Sequence, residues 1–66
     1  MAYNKLKGRL RELDKTYKEA SKVIGVSEAT FVSKINGKTP FKLPEAEKLC
    51  NWLKLNEKEK IEFFLP

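Results

Sequence analysis

The chain contains no histidine and a single cysteine, Cys50. Without an imidazole there is no Ser-His or Cys-His nucleophile pair, and one thiol closes no internal disulfide and anchors no His/Cys metal cluster. A lone cysteine and the lack of a signal peptide fit a reducing compartment, so a cytoplasmic location is expected. Long hydrophobic runs are missing too. The longest, Phe63-Phe64-Leu65, falls far short of the roughly 20 apolar residues that span a bilayer, and no membrane partner is expected. Glycine and proline are sparse at three each, and neither strand signals nor linkers, repeats or low-complexity segments occur. With 66 residues the chain forms one domain, residues 1–66, which buries only about 60% of the surface its unfolded form exposes. A core of that size encloses no substrate cavity, and Asp14, Glu19 and the lysines form no catalytic pair. An enzyme is not expected, nor any cofactor or metal.

What the chain has instead is unevenly placed positive charge. The net charge is +5. Residues 1–26 hold seven basic and three acidic residues, and residues 27–42 three basic and one acidic. Residues 43–66 hold four basic and five acidic. The front two-thirds is basic, which favours a polyanion such as nucleic acid; the alternative reading is a solvated lysine-rich surface.

Apolar spacing predicts five short helices in an all-α bundle. The first covers residues 3–14 and puts Tyr3, Leu6, Leu10 and Leu13 on one stripe, with Gly8 inside it marking either close backbone packing or tolerance. Thr16 and Glu19 form a capping box for the second, whose inner face is Tyr17, Ala20, Ser21 and Ile24 and whose stop is Gly25. Ser27 caps the third, which ends near Lys34 or Ile35 with Phe31 and Ile35 inward, and Asn36-Gly37 stops it. Pro40 breaks the following loop, which Phe41 anchors on the core. Pro44 suits the first turn of the fourth helix, with Glu45 and Glu47 near its positive end and Ala46, Leu49, Cys50 and Leu53 inward. Asn56 caps a final helix holding Ile61, Phe64 and Leu65.

Residues 16–37 are the informative stretch: two capped helices joined by a short glycine turn, the plan of a helix-turn-helix. Ala20, Ile24, Gly25, Val26 and Phe31 stand at the spacings of the Cro and lambdoid-repressor (Xre-like) family, which this stretch resembles. The opening residues 4–9 and the closing Phe63-Phe64 are similar to short Cro-like proteins of phages and prophages. Two positions depart from the pattern. Ser21 stands where a small alanine is usual, and the last core position of the third helix falls on Ile35, with Lys34 in its usual place.

The resemblance implies a lambda-repressor-like DNA-binding fold in which the third helix enters a major groove. Its groove-facing residues are then Ser27, Glu28, Ala29, Thr30, Val32 and Ser33. Glu28 accepts from a cytosine amino group, Ser33 bonds base edges, and Ala29, Thr30 or Val32 meets a thymine methyl. Competing roles are a cap for Ser27 and a helix-dipole partner for Glu28. No arginine lies in this helix, so readout leans on apolar contact, hydroxyls and DNA shape. Phosphate contacts fall to Tyr17 and Lys18, then Lys34, Asn36, Lys38 and Thr39, with Lys5, Lys7 or Arg9 from the first helix as further candidates; Tyr17 has a rival role as a core ring.

One module reads too few bases for useful specificity, so a homodimer on a pseudo-palindromic operator is expected at least on DNA, with some of Trp52, Leu55, Ile61, Phe63, Phe64 and Leu65 as its contact surface or as further core. The function implied is a Cro-like transcriptional repressor, not a self-cleaving one. The alternative is a protein-interaction module of the same fold, a modulator of a partner repressor or an antitoxin, that binds DNA weakly alone.

Overall fold

Helices this short depend on how their ends are satisfied, because the first four N–H and last four C=O groups of any helix have no partner within it. The computed structural model describes residues 3–64. These form α1 (Asn4–Glu12), α2 (Tyr17–Ile24), α3 (Glu28–Ile35), α4 (Leu43–Leu53) and α5 (Glu57–Phe64), with no strand among the described residues. Thr16 Oγ1 accepts from the Glu19 backbone at 3.1 Å while Glu19 Oε1 accepts from the Thr16 backbone at 2.9 Å, so the expected capping box forms. Asn56 and Glu59 exchange the same pair of bonds at 2.8 and 3.1 Å before α5. Ser27 Oγ accepts from the Thr30 backbone at 3.1 Å and starts α3. The start of α1 has no such side chain; there the Tyr3 backbone donates to the Ile35 carbonyl at 3.2 Å, tying the start of α1 to the end of α3.

The first four helices all stop in the same way, on a residue of left-handed backbone whose neighbour's N–H folds back onto the last turn. These residues are Asp14 (φ 58°), Gly25 (φ 76°), Gly37 (φ 82°) and Lys54 (φ 56°). The N–H groups of Lys15, Val26, Lys38 and Leu55 then reach the carbonyls of Leu10, Ser21, Ser33 and Cys50 at 2.8–3.0 Å. Glycine adopts this conformation freely, and aspartate does so more readily than most residues. Lysine at 54 carries the steric cost of its Cβ.

The core gathers Leu6 and Leu10 of α1, Ala20 and Ile24 of α2, Phe31 and Ile35 of α3, and Leu49, Cys50 and Leu53 of α4, closed by Leu55 and Phe63. Burial raises the Cys50 thiol pKa, which leaves it a small apolar side chain at neutral pH. Helix α2 packs on α3 and α4, and α1 on α5. Phe41 anchors its loop as expected: its ring lies 5.1 Å from Tyr3, 5.5 Å from Phe64 and 6.0 Å from Phe31, all edge-on. Phe64 thus folds back toward α1. Arg9 joins α1 to α5 through Glu59 and through the Phe63 face, 5.2 Å from its guanidinium carbon.

One apolar expectation is corrected. Leu13 falls past the last turn of α1 and is exposed rather than on the inner stripe. In α5, Phe63 takes the buried place and Ile61 points outward. Of the residues read as dimer contact or further core, Leu55 and Phe63 belong to the core and Trp52 and Phe64 are half-buried; Leu65 lies outside the described residues. Ile61 remains exposed, together with Leu13 and Leu43.

Gly8 is explained by tolerance, since a Cβ built there meets nothing within 4 Å. Gly8→Ala therefore removes backbone entropy from the unfolded chain without a clash. It is expected to stabilise the fold by about 0.5–1 kcal/mol, read as a higher midpoint in urea unfolding.

Candidate nucleic-acid interface

The inner side of α3 holds the helix and frees its outer side. Phe31 and Ile35 are fully buried, one turn apart, and Lys34 lies between them at 4% exposure. Burial of a lysine demands a partner. Lys34 Nζ donates to Glu45 Oε1 at 2.9 Å and to the Pro40 carbonyl at 3.1 Å. The same Glu45 oxygen accepts from the Lys42 backbone at 2.9 Å. One ammonium and one carboxylate thus join α3, the loop after it and the first turn of α4. The expectation that Lys34 reaches a phosphate is corrected: its charge is used inside the protein. The Lys42 N–H, with Lys34, holds the Glu45 carboxyl below the usual carboxylate range.

On the outer side, Ser27, Glu28, Ala29 and Thr30 are exposed, and Val32 and Ser33 are half-buried. The structure brings these six together along one stretch of α3. Their hydroxyls are not all idle. Ser27 Oγ, already the cap, donates to Thr30 Oγ1 at 2.8 Å, which commits both to the helix start. Ser33 Oγ and Thr39 Oγ1 lie 3.0 Å apart and share a hydrogen bond. One proton occupies that bond whichever oxygen donates, leaving the other hydroxyl proton to point outward. Ala29 and the Glu28 carboxylate have no such local partner among the described residues.

Flanking the helix, Lys18, Lys38 and Thr39 are exposed, whereas Tyr17 is half-buried with its ring centroid 5.5 Å from that of Phe31. Tyr17 therefore packs its ring on the core, the role that rivals a phosphate contact. Ser21, in the place of a small alanine, is buried and satisfied, its hydroxyl donating to the Lys18 carbonyl at 2.7 Å. Asn36 accepts from Lys7 Nζ at 2.8 Å through Oδ1, which turns its amide N–H₂ donors elsewhere.

The further candidates on α1 are mostly occupied. Lys5 lies 3.9 Å from Glu62, and Arg9 pairs with Glu59 and, at 3.8 Å, with Glu12. Glu59 sits below its ordinary pKa, first through Arg9 and then through the Asn56 N–H, and Glu19 does so through Thr16. Two cations absent from the expected set, Arg11 and Lys15, line a cleft of about 300 Å³ with Lys7 and Tyr17. Their signal was present in the sequence, as basic residues spaced four apart at 7, 11 and 15.

Among the described residues no helix is long and apolar enough to cross a membrane, and no group of three or more metal-ligating side chains occurs. Compared with protein-family models and with curated proteins, the chain matches none.

Removing one member of the buried pair leaves the other charge without its partner. Glu45→Ala is expected to cost about 2 kcal/mol in urea unfolding, and Lys34→Met, which removes the charge and keeps the apolar stem, less. Because the Glu45 carboxyl ionises more readily folded than unfolded, its contribution is present above the unfolded pKa. It is lost as pH falls through the lower folded value. Stability measured from pH 6 down to pH 3 should fall more steeply in the parent than in Glu45→Gln.

Proposed function

We propose that this chain binds double-stranded DNA sequence-specifically as a Cro-like transcriptional repressor, two copies occupying a pseudo-palindromic operator in the cytoplasm. The observation that carries the reading is the bare outer side of α3: Glu28, Ala29 and Thr30 are exposed while Phe31, Lys34 and Ile35 hold the inner side. A helix buried on one face and open on the other, in a basic part of the chain, has the form that major-groove reading requires.

In this reading Ala29 and Glu28 approach base edges at the start of the helix and Ser33 on its next turn. The paired hydroxyls make Ser27 and Thr30 a structural cap more than a reader. Ser33 presents its oxygen together with that of Thr39, so one hydroxyl reads while the other reaches the backbone. Phosphates are held by Tyr17, Lys18, Lys38, Thr39 and the amide of Asn36. Each phosphate neutralised adds roughly 0.9 to the slope of log affinity against log salt.

The test is binding to duplex DNA from the region upstream of the coding sequence, against random duplex, at two salt concentrations. A footprint of two half-sites about one helical turn apart is expected. In that assay Ala29→Glu combined with Ser33→Ala should lower operator affinity by roughly 30-fold or more, with helix content by circular dichroism unchanged. Operator affinity retained in this variant would remove α3 as the reading helix.

A further inference from the structure

The cleft beside α1 is lined by three cations, Lys7, Arg11 and Lys15. Lys7 and Arg11 sit one turn apart on α1, and Lys15 follows in the turn behind it. That turn is well defined. Asp14 adopts left-handed backbone (φ 58°), its N–H donates to the Arg11 carbonyl at 3.1 Å, and the Lys15 N–H donates to the Leu10 carbonyl at 2.8 Å. The chain is thereby folded back so that Lys15 Nζ lies 5.2 Å from the centroid of the Trp52 ring. Leu10 adds an apolar wall, and Thr16 and Tyr17 complete the lining.

Elsewhere on α1 the cations are matched by acids: Lys5 by Glu62, Arg9 by Glu12 and Glu59. Among the described residues no Asp or Glu carboxylate oxygen lies within 4 Å of the side-chain nitrogens of Lys7, Arg11 or Lys15. Asp14 is the single acid of the lining against three cations. Like charges gathered in one recess repel one another, and an anion seated among them relieves that repulsion. A guanidinium fork and two ammonium groups match the oxygens of a phosphate better than a single carboxylate.

We propose that this cleft binds a phosphate group, and that its source is a DNA backbone phosphate outside the stretch read by α3. The choice of source rests on the DNA-binding reading above. It is favoured by continuity: Lys7 Nζ, at the cleft, also bonds Asn36 at the end of α3, and Tyr17 belongs to both the cleft and the α2 start. The contact reads no base, so it acts on every sequence alike.

The experiment compares the parent, Arg11→Gln/Lys15→Gln, and Asp14→Asn, an asparagine tolerating the left-handed backbone. Each is titrated with operator and random duplex over a range of salt, and with inorganic phosphate while the backbone amides of residues 14–17 are followed by NMR. Lys48→Gln/Lys58→Gln, exposed lysines of α4 and α5, supplies the same loss of charge elsewhere. The double cleft variant is expected to lose roughly 0.9 of salt slope per subunit on both duplexes, with the operator-to-random ratio unchanged and the control variant unaffected. Asp14→Asn should bind both duplexes a few-fold more tightly. Inorganic phosphate should shift the amides of the parent and not those of the double variant.

An unchanged slope in the cleft variant and no amide shift with inorganic phosphate, alongside a parent that still prefers operator, overturn the cleft and leave the proposed function standing. A parent without sequence preference, whose slope nevertheless drops in the cleft variant, upholds the cleft and overturns the function. Amide shifts with inorganic phosphate but no change in slope overturn DNA as the source and assign the cleft to free phosphate compounds.

Discussion

The bond between Lys34 and Glu45 fixes the geometry on which the surface around α3 depends. Hydrophobic packing through Phe31 and Ile35 sets how deeply α3 sits, but packing alone is tolerant of small rotations. A charged hydrogen bond is directional, and this one is made by a lysine buried beside Phe31 and Ile35. Its second bond, to the Pro40 carbonyl, passes the constraint to the loop. The loop's first residues are fastened separately, through Thr39 to Ser33 and Lys38 to the Ser33 carbonyl. The polar groups around α3 are thus held at both ends of the loop, and its Phe41 side chain is locked among three rings. Burying the pair carries a desolvation cost that an apolar pair would avoid; the return is orientation.

Much of the fold was legible because its signals are local. Thr16 with Glu19, Ser27, and Asn56 are cap residues by chemistry, and Gly25 and Gly37 mark stops because glycine accepts positive φ without cost. The stops at Asp14 and Lys54 use the same backbone device with ordinary side chains, so nothing in the composition announced them. Leu13 departs from its expected stripe for a related reason. Apolar spacing says which residues share a face, but where the helix ends and which neighbour covers that face decide which are buried.

The candidate site was legible in outline and not in its pairings. The exposed residues at the start of α3 follow from the spacing of the inward ones, Phe31 and Ile35. The resemblance assigns Lys34 to a phosphate, and the sequence places Glu45 at the positive end of a helix, where it also sits. Only the folded loop brings them together across eleven positions of sequence. The same applies to Lys5 and Arg9, whose partners on α5 lie fifty or more residues away. Periodicity within one helix carries no information about which charge on another helix it will meet. The basic residues at 7, 11 and 15 show the converse, a pattern visible within one segment whose meaning depended on a turn that was not.

The caps and left-handed stops have one more consequence. In helices of eight residues every backbone group lies within a turn of an end, so none of the described helices other than α4, at eleven residues, extends much beyond its own termini. Segments of this length hold little helix alone in water, and here each borrows its order from caps, stops and neighbours. Secondary structure in this chain is therefore a property of the assembled whole, gained and lost in a single cooperative step. No part of it serves as a preformed scaffold for the rest.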